Sequence, residues 1–191
     1  MKKRIGLVLA GIITVLAAAY VGMALFFQSH FCFGTTIDGI AVGGCNVGKV
    51  EQLVTEEINR YVLKLLEREN ETETIAGDAI DLAPVFHGEI DTLLKEQNGF
   101  AWIVTLFGGS ELELEKSVTF DEEKLDAVLG ELSCVQEENQ RAPVSASCSG
   151  YSKEDGYSLV PADYGTTVLK PALKAAVISA VESLTDELDL S

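Results

Sequence analysis

An uncharged run from Ile5 to Phe27 follows Lys2, Lys3 and Arg4 at the start of the chain. Its 23 residues reach about 34 Å at a helical rise, enough to cross a hydrocarbon core about 30 Å thick. A run of this kind satisfies its backbone polar groups only as a helix, and the rest of the chain folds as a body tethered at one end. The three cations precede the span and none follows closely. The positive-inside rule therefore predicts a cytoplasmic N-terminus, with the chain after Gln28 outside. Ala17-Ala18-Ala19 has the small residues of a signal-peptide cleavage site. The apolar run exceeds the roughly 7 to 15 residues of a signal-peptide core, however, so the expectation is an uncleaved, single-pass signal anchor. On either reading the residues from His30 onward work outside the cytoplasm.

The chain has 191 residues, with 30 acidic and 14 basic side chains. Every acidic residue lies after the anchor, whereas three of the basic ones precede it. The outer portion thus sets thirty acidic residues against eleven basic ones, nineteen net negative charges. Such an excess excludes nucleic acid as a partner, because phosphates need a basic surface. It also argues against an outer portion lying on anionic lipid by charge. Its plain meaning is a solvated acidic surface that keeps an exported domain soluble. The membrane is then a partner through the N-terminal helix.

Four cysteines, Cys32, Cys45, Cys134 and Cys148, sit where export permits disulfides. Cys32 with Cys45 and Cys134 with Cys148 are the local pairings, but four cysteines allow three connectivities and spacing does not choose. None has CxxC spacing, and His30 and His87 lie apart from them in sequence, so no metal site and no cofactor is expected.

Thr35 to Val42 alternates and is β-branched, which predicts a strand ended by Gly43-Gly44. Asn46 is placed as the N-cap of a helix reaching about Glu69, with Val47, Val50, Val54, Ile58, Tyr61 and Leu65 on one face. Glu71 to Leu82 reads as strand in pieces, broken at Gly77. Glu89 to Gln97 reads as a short helix with Ile90, Leu93 and Leu94 on one side. Phe100 to Phe107 is almost wholly apolar and too short to span a membrane, so it is expected in the core. Glu111 to Val118 alternates like a half-exposed strand. Asp121 caps a helix to about Ser133, its inner face Leu125, Val128, Leu129 and Leu132. Val144–Cys148 and Tyr157–Val160 form an expected hairpin turning at Ser152 to Gly156. A last helix runs from about Val168 to Leu184, with Pro171 in its first turn and Leu169, Leu173, Val177, Val181 and Leu184 inward. Strand, turn and amphipathic helix recur at Thr35–Glu69, Glu111–Ser133 and Tyr157–Leu184. Strands and helices mix without regular parallel crossovers, so the fold class is α+β behind an N-terminal transmembrane helix. The organisation reads as 1–29 cytoplasmic tip and anchor, 30–70 a strand–helix unit, 71–187 an α+β domain, and 188–191 a truncated connector.

No GxSxG, SxxK or His-Gly-x-Cys run marks a nucleophile, so no catalytic residue and no enzyme is expected in this chain. Asp121-Glu122-Glu123 matches the acid enrichment of a helix N-terminus, and His87 between Phe86 and Gly88 reads as a turn residue. The Gly pairs lack phosphate-loop spacing. The aromatic residues that could stack on a sugar are Trp102, Tyr151, Tyr157 and Tyr164, of which Tyr151, Tyr164 and Trp102 are singled out. Tyr151 and Tyr164 lie in polar surroundings, whereas Trp102 lies in the apolar run, where core packing competes.

Five segments carry a resemblance together: Gly34-Thr35-Thr36-Ile37-Asp38-Gly39-Ile40-Ala41-Val42-Gly43-Gly44; Glu96 to Trp102 with Leu106-Phe107; Val118 to Leu125; Cys134 to Asn139 with Ala142-Pro143; and Tyr157 to Pro161 with Gly165. Their order and spacing, not any single motif, resemble the N-terminal half of membrane-anchored L,D-transpeptidases of Gram-positive bacteria. That half holds a peptidoglycan-binding domain that also occurs in VanW-type surface proteins. The resemblance runs from the anchor to Leu184. It departs at the first helix, where Asn46-Val47-Gly48-Lys49 stands for the family's usual Thr and Glu-Glu-Ala. The family's catalytic His and Ser-His-Gly-Cys motif are absent, so no catalytic residue carries over. Cys134 stands where relatives often have a cysteine whose partner lies further on, which sets the resemblance against a Cys134–Cys148 pair.

The resemblance implies an extracytoplasmic, non-catalytic module of a cell-wall protein, with peptidoglycan as its partner or with the task of positioning a downstream L,D-transpeptidase domain. Two other readings stand beside it. One is a fragment of an active L,D-transpeptidase whose catalytic domain follows residue 191. The other is a ligand-free spacer.

Overall fold

The structure, a computed structural model, describes residues 2–148, 150–151 and 156–191. The elements in chain order are α1 (Lys2–Phe26), β1 (Thr35–Ile37), β2 (Ile40–Ala41), α2 (Val47–Ile58), β3 (Val62–Leu66), β4 (Thr72–Ala76), β5 (Ala83–Val85), α3 (Glu89–Glu96), α4 (Trp102–Gly108), β6 (Ser110–Leu112), β7 (Ser117–Thr119), α5 (Glu122–Glu131), β8 (Ser147–Cys148), β9 (Leu159–Val160), α6 (Lys170–Glu182) and β10 (Glu187–Asp189). The fold is mixed α+β, with one N-terminal helix, apolar over Ile5–Phe26, long enough to span a membrane. Contacts divide the chain discontinuously: Met1–Glu57 with Pro84–Ser117 form one unit, and Ile58–Ala83 with Val118–Ser191 form the other.

In the first unit, the C-terminal end of α1 is bound into the domain. Phe27 and Phe31 are fully buried. Gln97 Nε2 donates to the carbonyls of Phe27 (2.5 Å) and His30 (2.6 Å), and its Oε1 accepts from Cys32 N at 3.0 Å. One amide side chain thus serves carbonyls at the helix end, which lack intrahelical partners. Gly99 packs so closely that a Cβ there would lie 2.8 Å from the Ala24 carbonyl oxygen. The N-terminal helix is therefore a continuation of the folded unit.

The single strand expected at Thr35–Val42 is instead a tight hairpin. Asp38 (φ 47°) and Gly39 (φ 81°) take left-handed values between β1 and β2, the conformation that Asp-Gly favours in two-residue hairpin turns. β1 pairs antiparallel with β2 and parallel with β6. Asp38 Oδ1 accepts from Leu114 N at 3.2 Å, and Asp38 Oδ2 meets Lys116 Nζ at 3.0 Å. Asn46 caps α2 through a 2.9 Å bond from Lys49 N, and Val50, Val54 and Ile58 are buried. The helix ends at Ile58, well short of the expected Glu69. The run Val62–Leu66 alternates in burial, and its Leu63 and Leu65 enter the core from a strand. Long-range pairing here outweighs the local helical spacing that had included Tyr61 and Leu65.

The apolar run Phe100–Phe107 is a second correction. It is not core: Phe107 is 86% and Val104 71% exposed, and Phe100, Ile103 and Leu106 are also exposed. Helical geometry over seven residues turns these side chains outward on several faces, and no element of the first unit covers them.

In the second unit, β10, β3 and β4 form a sheet in that order, with β3 antiparallel to β4 and parallel to β10. The tail expected as a connector at 188–191 therefore begins inside a strand, with Leu188 opposite Leu65. Leu63, Leu65, Ile75, Ile80, Leu125, Leu129, Leu173, Val177 and Val181 are buried. Asp121 Oδ1 caps α5 by accepting from Glu123 N and Lys124 N at 2.9 and 3.0 Å. Tyr61 OH donates to the Thr185 carbonyl at 2.6 Å, tying the start of β3 to the α6–β10 connection. α6 matches its expected inner face at Leu173, Val177 and Val181, but Leu169 is 71% exposed and precedes the helix. β8 and β9 pair antiparallel as the expected hairpin arms; its turn at Ser152–Asp155 lies outside the described residues.

Candidate functional site

The second unit holds a cleft of about 710 Å³ between the β3–β4 hairpin, the segment 133–143, the loop 164–169 and α6. Its floor is acidic because the hairpin places alternate glutamates on one side. Glu69 (φ 67°) and Asn70 (φ 64°) make the turn, and Glu67 N bonds the Glu71 carbonyl at 2.9 Å across it. Glu67, Glu71 and Glu73 then line one wall. The opposite wall is apolar, built from Leu169, Ala172, Leu173 and Ala176 at helical spacing.

Glu73 accepts from the backbone N–H groups of Ser133 (2.7 Å) and Cys134 (2.8 Å). Burial alone would raise Glu73, but these two donors outweigh it and hold the carboxyl below its usual range. Glu67 receives no such help, and its Oε1 is buried without a hydrogen-bond partner among the described residues. Burial, then the neighbouring Glu73, pushes Glu67 up to about 7. Burial and the same two carboxylates push the Cys134 thiol up to about 12. Glu67, Glu73 and Cys134 place ligand atoms within 4.8 Å of one another. Without an ion, burial and the neighbouring carboxylates keep the Cys134 thiol protonated, and Glu73 retains acceptor capacity beyond its two backbone donors. In this state the trio is a proton-holding cluster.

The rim is set by the loop carrying Tyr164. Gly165 has φ 66°, and a Cβ there would fall 2.3 Å from the Arg141 carbonyl oxygen. Only glycine allows this approach. Thr166 N donates to Arg141 O at 2.8 Å, Arg141 N donates to Thr166 Oγ1 at 2.9 Å, and Gly165 N donates to Asp163 Oδ1 at 2.9 Å. Arg141 also bridges Glu69 (2.6 Å) and Asp163 (3.5 Å). These bonds hold Tyr164 at the mouth, 78% exposed. The Arg68 guanidinium lies 5.7 Å from the ring centroid and is fixed by a 2.9 Å bond to Gly165 O. The cleft thus offers one exposed ring, an apolar wall and an acidic floor.

Of the aromatic residues singled out from sequence, only Tyr164 lines this cleft. Tyr151 packs against Tyr157 at 5.5 Å. Trp102 belongs to the first unit, 6.0 Å from Tyr20 and 6.2 Å from Phe27, with its indole N–H buried and unpartnered among the described residues. The four cysteines are free: Cys32 and Cys134 buried, Cys45 half-buried, Cys148 exposed. Neither Cys32–Cys45 nor Cys134–Cys148 is formed, and Cys134 faces carboxylates instead. The helix expected to reach Glu69 covers Glu67 and Arg68, which instead follow β3 into its turn; Glu73 falls in the run expected as strand, where nothing in its spacing singles it out.

No protein family model, curated protein or solved structure matches this chain.

Proposed function

We propose that the chain is a membrane-anchored, extracytoplasmic, non-catalytic module that binds peptidoglycan through the cleft of its second unit. The observation that carries this reading is the exposed Tyr164 ring at the mouth of a cleft with an acidic floor and an apolar wall. A sugar ring stacks its apolar face on Tyr164, while a stem peptide lays its aliphatic part along α6 and turns its free amine to Glu71 and Glu73. The resemblance to the N-terminal half of L,D-transpeptidases supports the ligand class. The non-catalytic reading is supported by the Cys134 thiol, raised to about 12, which leaves it a poor nucleophile at neutral pH. The test is retention of the detergent-solubilised full chain on purified insoluble peptidoglycan. Wild type should be retained and Tyr164→Ala retained roughly tenfold less, with unchanged circular dichroism. Absence of wild-type retention would favour the ligand-free spacer.

A further inference from the structure

The exposed run formed by α4 and the turn at Gly99–Ala101 that leads into it calls for a solvent other than water. Five large apolar side chains, Phe100, Ile103, Val104, Leu106 and Phe107, face outward, and no charge lies between Glu96 and Glu111. Exposed apolar patches of this kind mark a partner or a lipid surface.

The position of the run relative to α1 decides between them. The chain from Gln97 to Phe100 descends along α1: Gln97 bonds the Phe27 carbonyl, Gly99 abuts Ala24, and the Phe100 carbonyl accepts from Tyr20 OH at 2.5 Å. Tyr20 lies six residues before Phe26, about 9 Å further down a helix. If Ile5–Phe26 spans a bilayer, Phe100 sits at the depth of Tyr20, inside the boundary set by Phe26. Trp102, which opens α4, packs on Tyr20 and Phe27 at that level. Tyr and Trp are the residues enriched where a span meets the headgroups.

At both ends of this stretch, backbone groups are paired as a lipid setting demands. Phe100 N takes Asn98 Oδ1 at 3.0 Å, Ala101 N takes Asn98 O at 2.8 Å, Gly109 N takes Thr105 O at 2.8 Å, and the Phe100 carbonyl takes Tyr20 OH. Unpaired groups at that depth would be costly. The helical stretch Gly99–Gly108 is too short to cross a bilayer, which leaves an interfacial position.

We propose that α4 is a second membrane contact, embedding its exposed apolar side chains in the lipid leaflet around the C-terminal end of α1. This rests on α1 spanning the bilayer. α4 then sets the depth and limits the tilt of the first unit at the membrane surface.

Trp102 is the chain's only tryptophan, so the wild-type protein is its own first probe. The full chain is reconstituted into phosphatidylcholine vesicles with and without lipids brominated near the headgroup end of the acyl chains. A second sample carries Trp102→Phe with Phe107→Trp; Phe107 is 86% exposed, so the new indole displaces nothing, and Trp102→Phe keeps an aromatic ring against Tyr20 and Phe27. The expected result is blue-shifted emission, quenched by brominated lipid and shielded from acrylamide, in both samples. Emission of the second sample at the wavelength of tryptophan in water, quenched by acrylamide and not by brominated lipid, would overturn the proposal. Blue-shifted emission without brominated-lipid quenching would overturn it too, showing that protein covers α4. Alkaline washing of the vesicles separates the underlying reading: release of the chain means that α1 does not span, and the proposal falls with it.

Discussion

Glu67 and Glu73 face each other with carboxylate oxygens within 4.8 Å, yet only Glu73 receives backbone donors, from Ser133 and Cys134. The pair therefore divides its protonation unequally. Glu67 rises from 4.5 to about 7, so the folded state holds its proton more tightly than the unfolded chain. Its favourable contribution is complete below about 4.5 and is lost as pH rises through about 7. Glu73 is lowered, so its contribution is present above the ordinary carboxylate range and is lost as pH falls. Glu67→Gln should flatten the decline between those pH values and raise stability at pH 8 by roughly 1 kcal/mol, allowing for solvent screening. Urea midpoints of the full chain in detergent, followed by circular dichroism across pH, measure this. An unchanged slope would show that Glu67 titrates normally.

Removing Glu73 acts in the other direction. Glu73→Ala strips the partner from two N–H groups and should cost about 1 to 3 kcal/mol at pH 7. The same urea titration reads it, and a cost below that of an exposed control such as Glu123→Ala would contradict the bonding described.

Leu129 is 7% exposed on α5 behind the Asp121 cap. Leu129→Ala should cost about 2 to 5 kcal/mol. Asp121→Ala should cost about 1 kcal/mol through loss of the cap, and Glu123→Ala less than about 0.5 kcal/mol. Equal midpoints for the three would refute the facing of α5.

Gly165→Ala should damage the rim more than its size suggests. The added Cβ meets the Arg141 carbonyl at 2.3 Å and carries a φ of 66°, so the loop has to move. A loss of roughly 1 to 3 kcal/mol is expected, with weaker retention on peptidoglycan because Tyr164 moves with the loop. Normal stability together with normal retention would show that the loop does not hold the site.

What the sequence disclosed follows from the range of each interaction. The span, the Asn46 and Asp121 caps, the break at Gly77, the inner faces of α3 and α5 and, in α6, Leu173, Val177 and Val181 are written in local spacing, and the structure keeps them; Leu169 and Leu184 fall outside α6. β3 was concealed because Val62–Leu66 pairs with β4 residues six to fourteen positions away and with β10 residues more than a hundred away, and because Tyr61 and Leu65 also fit a helical stripe. The acidic floor was lost with it. Asp38-Gly39 carried a hairpin signal that the surrounding alternation masked. The run Phe100–Phe107 was assigned to the core because an apolar composition alone does not distinguish protein interior from lipid. Tyr164 was singled out by exposure alone; its partner Arg68 and its support Gly165 depend on contacts that spacing does not encode.

Tyr164 and Tyr151 should now separate in a binding experiment. Both are exposed, but Tyr164 stands over the cleft beside Arg68, whereas Tyr151 is paired with Tyr157. Tyr164→Ala should weaken retention on insoluble peptidoglycan by roughly tenfold, a stacking contribution of about 1 kcal/mol or slightly more. Tyr151→Ala should leave it unchanged. The acidic floor adds a salt test. Attraction between Glu71 or Glu73 and a stem-peptide amine is screened in the exposed part of the cleft, whereas ring stacking is not. Retention should therefore fall moderately with added salt and then level off, and acetylating the free amines of the peptidoglycan should remove the salt-sensitive part alone. Loss of all retention on adding salt would mean that charge carries binding and Tyr164 does not. Equal effects of Tyr151→Ala and Tyr164→Ala would place the ligand outside the cleft.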